Sequence, residues 1–128
     1  MMLASAAVVA VAGCGTADER GAAASATALR MLSAVESKDG SGACAVLAPK
    51  TASALEQSAG SSCPAAILDE DLPKPGAVTG TQVYGQWAQV RLSTDTVFLG
   101  LFPGGWRVVA AGCRPEADKP YDCTLQGG

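Results

Sequence analysis

The spacing of apolar positions changes character several times along this chain. Residues 1–12 form an apolar run without a charge. From about Ala22 the pattern becomes helical: Ala24, Ala28, Met31, Leu32 and Val35 recur at three- and four-residue intervals, with Arg30, Ser33 and Ser37 opposite. Lys38 falls in the last turn and Gly40 reads as the stop. Residues 41–48, with Cys44, Val46 and Leu47, predict a shorter helical piece broken before Pro49. Pro49 opens another, with Ala52, Leu55 and Ala59 along one side, and Gly60, Ser61 and Ser62 end it. Within it, Ser53 to Glu56 has the spacing of a capping box, although inside the predicted helix. Pro64, at a first helical position after Cys63, starts a last piece with Ile67 and Leu68 inward. Asp69, Glu70 and Asp71 oppose the helix dipole, so it should stop near Leu68.

After the connector Leu72-Pro73-Lys74-Pro75-Gly76 the period falls to two. Strands are predicted over 78–84, 87–92, 96–102 and 106–111, joined by tight turns at Ser93-Thr94-Asp95 and Pro103-Gly104-Gly105. Ala88, Val90 and Leu92 share one face and Trp87, Gln89 and Arg91 the other. Val97, Leu99 and Leu101 likewise oppose Phe98 and Phe102. Beyond Gly112 two prolines interrupt regular structure, and residues 121–125 are a candidate edge strand. The predicted class is α+β, N-terminal helices packed on one face of a four-stranded antiparallel meander.

Composition narrows the function. The 128 residues carry 9 basic and 12 acidic side chains, a net charge of −3, with no Lys/Arg cluster, which argues against nucleic acid and against electrostatic docking to anionic lipid. No histidine is present, which removes Ser-His and Cys-His nucleophile systems. The glycine pairs at 104–105 and 127–128 precede no helix, so they offer no phosphate cradle. Asp69-Glu70-Asp71 reads as a solvated helix end rather than an acid/base pair or calcium site. No cofactor and no metal are expected.

The run over residues 1–12 is too short to cross a bilayer as a helix, which needs about 20 residues, but it fits the apolar region of an export signal. It ends in Val11-Ala12-Gly13-Cys14, followed by the small and polar Gly15, Thr16, Ala17, Asp18 and Glu19. Val-Ala-Gly-Cys resembles the lipobox of bacterial lipoproteins, which implies that the Cys14 thiol takes a diacylglyceryl group and becomes the new N-terminus after cleavage. A buried N-terminal helix with Cys14 as a core thiol is the alternative, and no charge before Asp18 supplies the basic start usual in a signal. On the lipobox reading, residues 1–13 are a signal peptide, 14–23 the lipidated cysteine and tether, and 24–128 a single domain of ordinary size. Two or more acyl chains hold stably to a membrane, at about 0.8 kcal/mol per buried CH₂.

With Cys14 assigned to lipid, Cys44, Cys63, Cys113 and Cys123 form an even set. Three pairings are open. Nearness in sequence favours Cys44–Cys63 and Cys113–Cys123, each worth about 3 kcal/mol on the chain-entropy model. A four-thiolate zinc site lacks the Cys-x-x-Cys pairs it would need.

The order of elements, with Gly105-Trp106-Arg107-Val108-Val109-Ala110-Ala111-Gly112-Cys113, Pro120-Tyr121-Asp122-Cys123 and the closing Gly127-Gly128, resembles small actinobacterial lipoproteins of unassigned function. Their architecture is similar to the NTF2-like (cystatin-like) cone, which implies a curved sheet wrapped around a long helix and a pocket between them. No catalytic motif comes with the resemblance. Tyr84, Phe98, Phe102 and Trp106 are the candidate lining of that pocket, although aromatic side chains at strand spacing usually serve as core. The expected function is a lipid-anchored, extracytoplasmic, non-catalytic binding or interaction module on the cell membrane, taking a small apolar ligand or an envelope protein. The alternatives are an NTF2-like enzyme using Tyr84, Asp95 or Tyr121, or a purely protein-facing role through Trp87, Gln89 and Arg91.

Overall fold

In the computed structural model, which describes residues 16–118 and 120–127, four helices precede a five-stranded antiparallel sheet. Residues 1–15, which include the stretch expected to be a signal and Cys14, lie outside the described residues, as do Lys119 and Gly128.

Helix α1 (Ala17–Glu36) starts five residues before the point set by its apolar periodicity. The cause is polar. Thr16 Oγ1 accepts from the Glu19 N–H at 3.2 Å and Glu19 Oε2 accepts from the Thr16 N–H at 3.3 Å, a reciprocal capping box with Asp18 and Glu19 placed favourably in the first turn. Gly21, Ala24, Ala28, Met31 and Leu32 form its buried stripe. The helix stops at Lys38, which takes the left-handed conformation (φ 62°), rather than at Gly40. Gly40 instead begins α2 (Gly40–Ala45), whose cap is Asp39, its Oδ1 accepting from Gly42 N–H at 2.9 Å.

Helix α2 ends at Ala45, earlier than predicted, because residues 46–48 straighten and pair with the fourth strand. The Val108 N–H donates to the Val46 carbonyl and the Ala48 N–H to the Val108 carbonyl, both at 2.8 Å. Pro49 opens α3 (Pro49–Ala59), which Gly60 ends at φ 70°. The Ser53 to Glu56 spacing caps nothing in α3. Glu56 reaches forward instead and its carboxylate accepts from the Cys63 N–H at the start of α4 (Cys63–Asp69).

The strands are β1 (Val78–Tyr84), β2 (Trp87–Leu92), β3 (Thr96–Phe102), β4 (Gly105–Arg114) and β5 (Asp122–Gln126), adjacent in chain order. The expected four-stranded meander is therefore corrected to five. β4 runs through Gly112 (φ 66°), where the sequence reads as ending, and its extra residues pair with β5, Cys113 directly opposite Cys123. Helix α1 lies on one face of the sheet, where Met31, Leu32, Ile67, Val90, Val97, Leu99 and Val108 close a core with essentially no solvent access. Each such side chain contributes roughly 1.5–3 kcal/mol of apolar burial.

Both sequence-local disulfides are present: Cys44–Cys63 ties α2 to α4, and Cys113–Cys123 crosses β4 and β5. Replacing Cys44 and Cys63 together by alanine should cost about 3 kcal/mol. Urea denaturation of the oxidised protein and the double variant would measure it, and an unchanged midpoint would show that α2 and α4 stay docked unaided.

Candidate functional site

The cross-strand pair Tyr84 and Trp87 ends the first hairpin, closed by Gly85-Gln86 with Gly85 at φ 57°, the position where a type II′ turn calls for glycine. Both side chains point to the face away from α1 and are largely exposed, at 60% and 59%. Alternation carries Phe98, Gly100 and Phe102 to the same face, while Val97 and Leu99 face the core.

Gly100 is the floor of the site. A Cβ placed there would lie 3.0 Å from a Phe102 ring carbon, 3.5 Å from Trp87 and 3.5 Å from a Val109 methyl, so three apolar side chains converge over a residue that has none. Val109 reaches this position because the β3–β4 register slips between Phe98 and Leu99, making it a bulge residue. Its carbonyl accepts from Thr51 Oγ1 at 2.8 Å and from the Gly127 N–H at 3.1 Å, which fixes the start of α3 and the C-terminal strand end beside it. The result is a solvent-open groove of about 480 Å³, mostly apolar, with the exposed Lys50 as its only charged lining residue.

The four expected pocket residues do not meet. Phe102 lines the groove, and Tyr84 stands at the hairpin tip. Phe98 is covered by Tyr121, edge-on at 5.0 Å between ring centres, while Gln89 Nε2 donates to the Tyr121 hydroxyl at 3.1 Å. Trp106 is buried on the opposite, helix-bearing face, with the Arg20 guanidinium 5.7 Å above its ring. The space between the middle of α1 and the sheet, where a pocket was expected, is filled by Met31, Leu32, Val90 and Leu99. Trp106 lines instead a surface cleft of about 460 Å³ between α1, residues 45–46 and the β3–β4 turn. Trp87 and Gly100 are the lining that strand alternation could have shown. Lys50, Thr51 and Gly127 come from distant segments and carry no sequence signal.

The three candidate catalytic side chains are also dispersed. Tyr84 and Asp95 lie at opposite ends of β2, and Tyr121 sits over its middle. Asp95 is 8% exposed and its carboxylate accepts the N–H groups of Thr96 (2.7 Å), Gly112 (2.9 Å) and Cys113 (2.9 Å), which pins the left-handed Gly112 into β4. Burial pushes its carboxyl above the ordinary carboxylate range, against the opposing pull of these N–H groups. Asp69 and Asp71 are exposed and Glu70 partly so. Among the described residues there is no group of three potential metal ligands, and no helix is long and apolar enough to cross a membrane.

Compared with protein-family models, curated proteins and solved structures, the chain matches none of them.

Proposed function

We propose that this chain is a lipid-anchored, extracytoplasmic interaction module without catalytic activity, working through the outer face of its sheet. The carrying observation is the contrast between the two faces. On the helix-bearing side the interior is filled by aliphatic side chains, and the clefts flanking α1 are lined by polar and charged residues such as Asp18, Arg30 and Arg107. On the other side Trp87, Phe102, Val109 and Gly100 form an open apolar groove with Trp87 and Tyr84 exposed at its end. Exposed aromatic side chains grouped in this way mark contact surfaces rather than chance. The groove's volume also falls in the range of small-ligand sites, the second reading.

Two further features support the compartment. The Val11-Ala12-Gly13-Cys14 stretch fits acylation at Cys14, and two disulfides are at home in an oxidising environment. The long α1 laid across β1 to β4 is in keeping with the NTF2-like architecture that the sequence resembles, with the cone's interior filled. The dispersal of Tyr84, Asp95 and Tyr121, and the three backbone partners of Asp95, speak for binding over catalysis.

The reading is tested on the native protein with a dye that fluoresces on apolar surfaces. Trp87→Ser should leave stability within about 1 kcal/mol, as expected of an exposed side chain, and markedly lower dye binding. Equal dye binding by both proteins, or none by either, would remove the groove as a contact surface. Intact mass spectrometry of membrane-extracted protein, with and without reductant, reads the acyl group and both disulfides together.

A further inference from the structure

We propose that the hairpin tip bearing Tyr84 and Trp87 sits in the headgroup layer of the same bilayer that holds the chain's anchor, so that the membrane surface covers this end of the outer-face groove. The inference rests on acylation of Cys14, and adds to it a second, non-covalent attachment.

The geometry points there first. At the start of α1, Gly21 packs on Thr81 and the Arg20 guanidinium donates to the Gly85 carbonyl while lying over Trp106. The first turn of α1, the β1–β2 turn and the beginning of β4 therefore share one end of the molecule. The β3–β4 turn joins them, since the Leu101 N–H donates to the Gln86 carbonyl. Cys14 stands two residues before Thr16, and two residues reach at most about 7 Å. An acyl group on Cys14 thus enters the bilayer beside this end and beside no other.

The distribution of exposed apolar side chains agrees. Of the four large hydrophobic residues most exposed among the described residues, Tyr84, Trp87 and Leu101 lie at the anchored end, and only Val78 at the far one. Tyr and Trp each combine an apolar ring with a polar tip, the chemistry that settles at a membrane–water interface. The tether also removes most of the association cost. Once the acyl chains are inserted the tip is held at high effective concentration next to the surface, so a contact too weak to retain a free protein suffices to fix an orientation. Charge contributes little net to it, because the exposed Asp18 and Glu19 in the adjacent helical turn are balanced at this end by Arg20 and Arg107. Seating should be as good on zwitterionic as on anionic lipid.

The test uses the full acylated chain in phosphatidylcholine vesicles, with acylation read by mass on the same sample. The chain has two tryptophans, so the difference between wild type and Trp87→Phe isolates Trp87 without touching the buried Trp106. The expected result is that the Trp87 emission is quenched by phosphatidylcholine brominated high on its acyl chains, is protected from aqueous iodide, and is unchanged when phosphatidylserine is added. In an acylated sample, free quenching by iodide would overturn the seating. So would protection from iodide without quenching by brominated lipid, since a protein or small ligand would then be covering the tip. A mass without lipid on Cys14 would remove the anchor itself, a failure distinct from either quenching result.

Discussion

Replacing Asp95 by alanine should destabilise the protein by about 3–5 kcal/mol, the largest loss expected from any single polar side chain in this fold. The carboxylate is 8% exposed and accepts three backbone N–H groups, two of them from Gly112 and Cys113 in the stretch of β4 that pairs with β5. Alanine leaves the buried Cys113 N–H and the partly buried Thr96 and Gly112 N–H groups without their acceptor, at roughly 1–3 kcal/mol for each that water does not reach. Asparagine should fall between, because one of its two oxygen positions becomes an amide that cannot accept. The pH dependence has a definite sign. Burial raises the folded-state pKa above its unfolded value, so the folded protein holds this proton more tightly. The associated stabilisation is fully present below the unfolded carboxylate value and is lost as pH rises through the folded one. The gap between wild type and Asp95→Ala should therefore widen from neutral pH to about pH 3. Urea denaturation at both pH values measures it. A loss below about 1 kcal/mol at either pH would mean that the N–H groups find other partners.

Gly40→Ala should cost at least about 3 kcal/mol through overpacking alone. Gly40 is buried where α2 meets α4, and a Cβ on it would lie 2.0 Å from the Pro64 carbonyl oxygen and 2.7 Å from its carbon. These are backbone atoms of a helix that the Cys44–Cys63 bridge and the Glu56 carboxylate hold in place, so no side-chain rotation relieves the clash. The neighbouring exposed Ser41 provides the control, its alanine variant being nearly neutral. Chemical denaturation of the two variants side by side tests the packing. Equal midpoints would show that α2 and α4 stand further apart than this.

The strands were legible because their signal is local. Alternation and turn residues bound β1, β2 and β3 at the residues where they occur, and failure began where the signal became non-local. Gly112 reads as a strand end, and only the buried Asp95 carboxylate, seventeen residues earlier, explains why β4 continues through it to meet β5. Residues 46–48 look helical by composition, yet β4 has a vacant edge beyond the reach of β5, and backbone pairing there outweighs their propensity. The beginning of α1 was hidden because capping is written in Thr16 and Glu19, which apolar periodicity ignores. The groove shows the same division. Alternation separates Trp87, Phe98 and Phe102 from Val97 and Leu99, but it does not say which set the helices cover. The aliphatic set took the interior, leaving the aromatic set outside except where Tyr121 covers Phe98. Trp106 went the other way because the turn at Pro103-Gly104 pairs Phe102 with Gly105, which sets Trp106 opposite Leu101 and out of phase with Phe102.

The two sulfur bridges join cysteines that are consecutive along the chain once Cys14 is set aside, closing spans of 19 and 10 residues without overlap. A polypeptide threaded N-terminus first into an oxidising space would present Cys63 to Cys44 before Cys113 had emerged. An oxidase that couples thiols in order of appearance then produces the native pairing directly, and a chain with this arrangement can mature without an isomerase to reshuffle it.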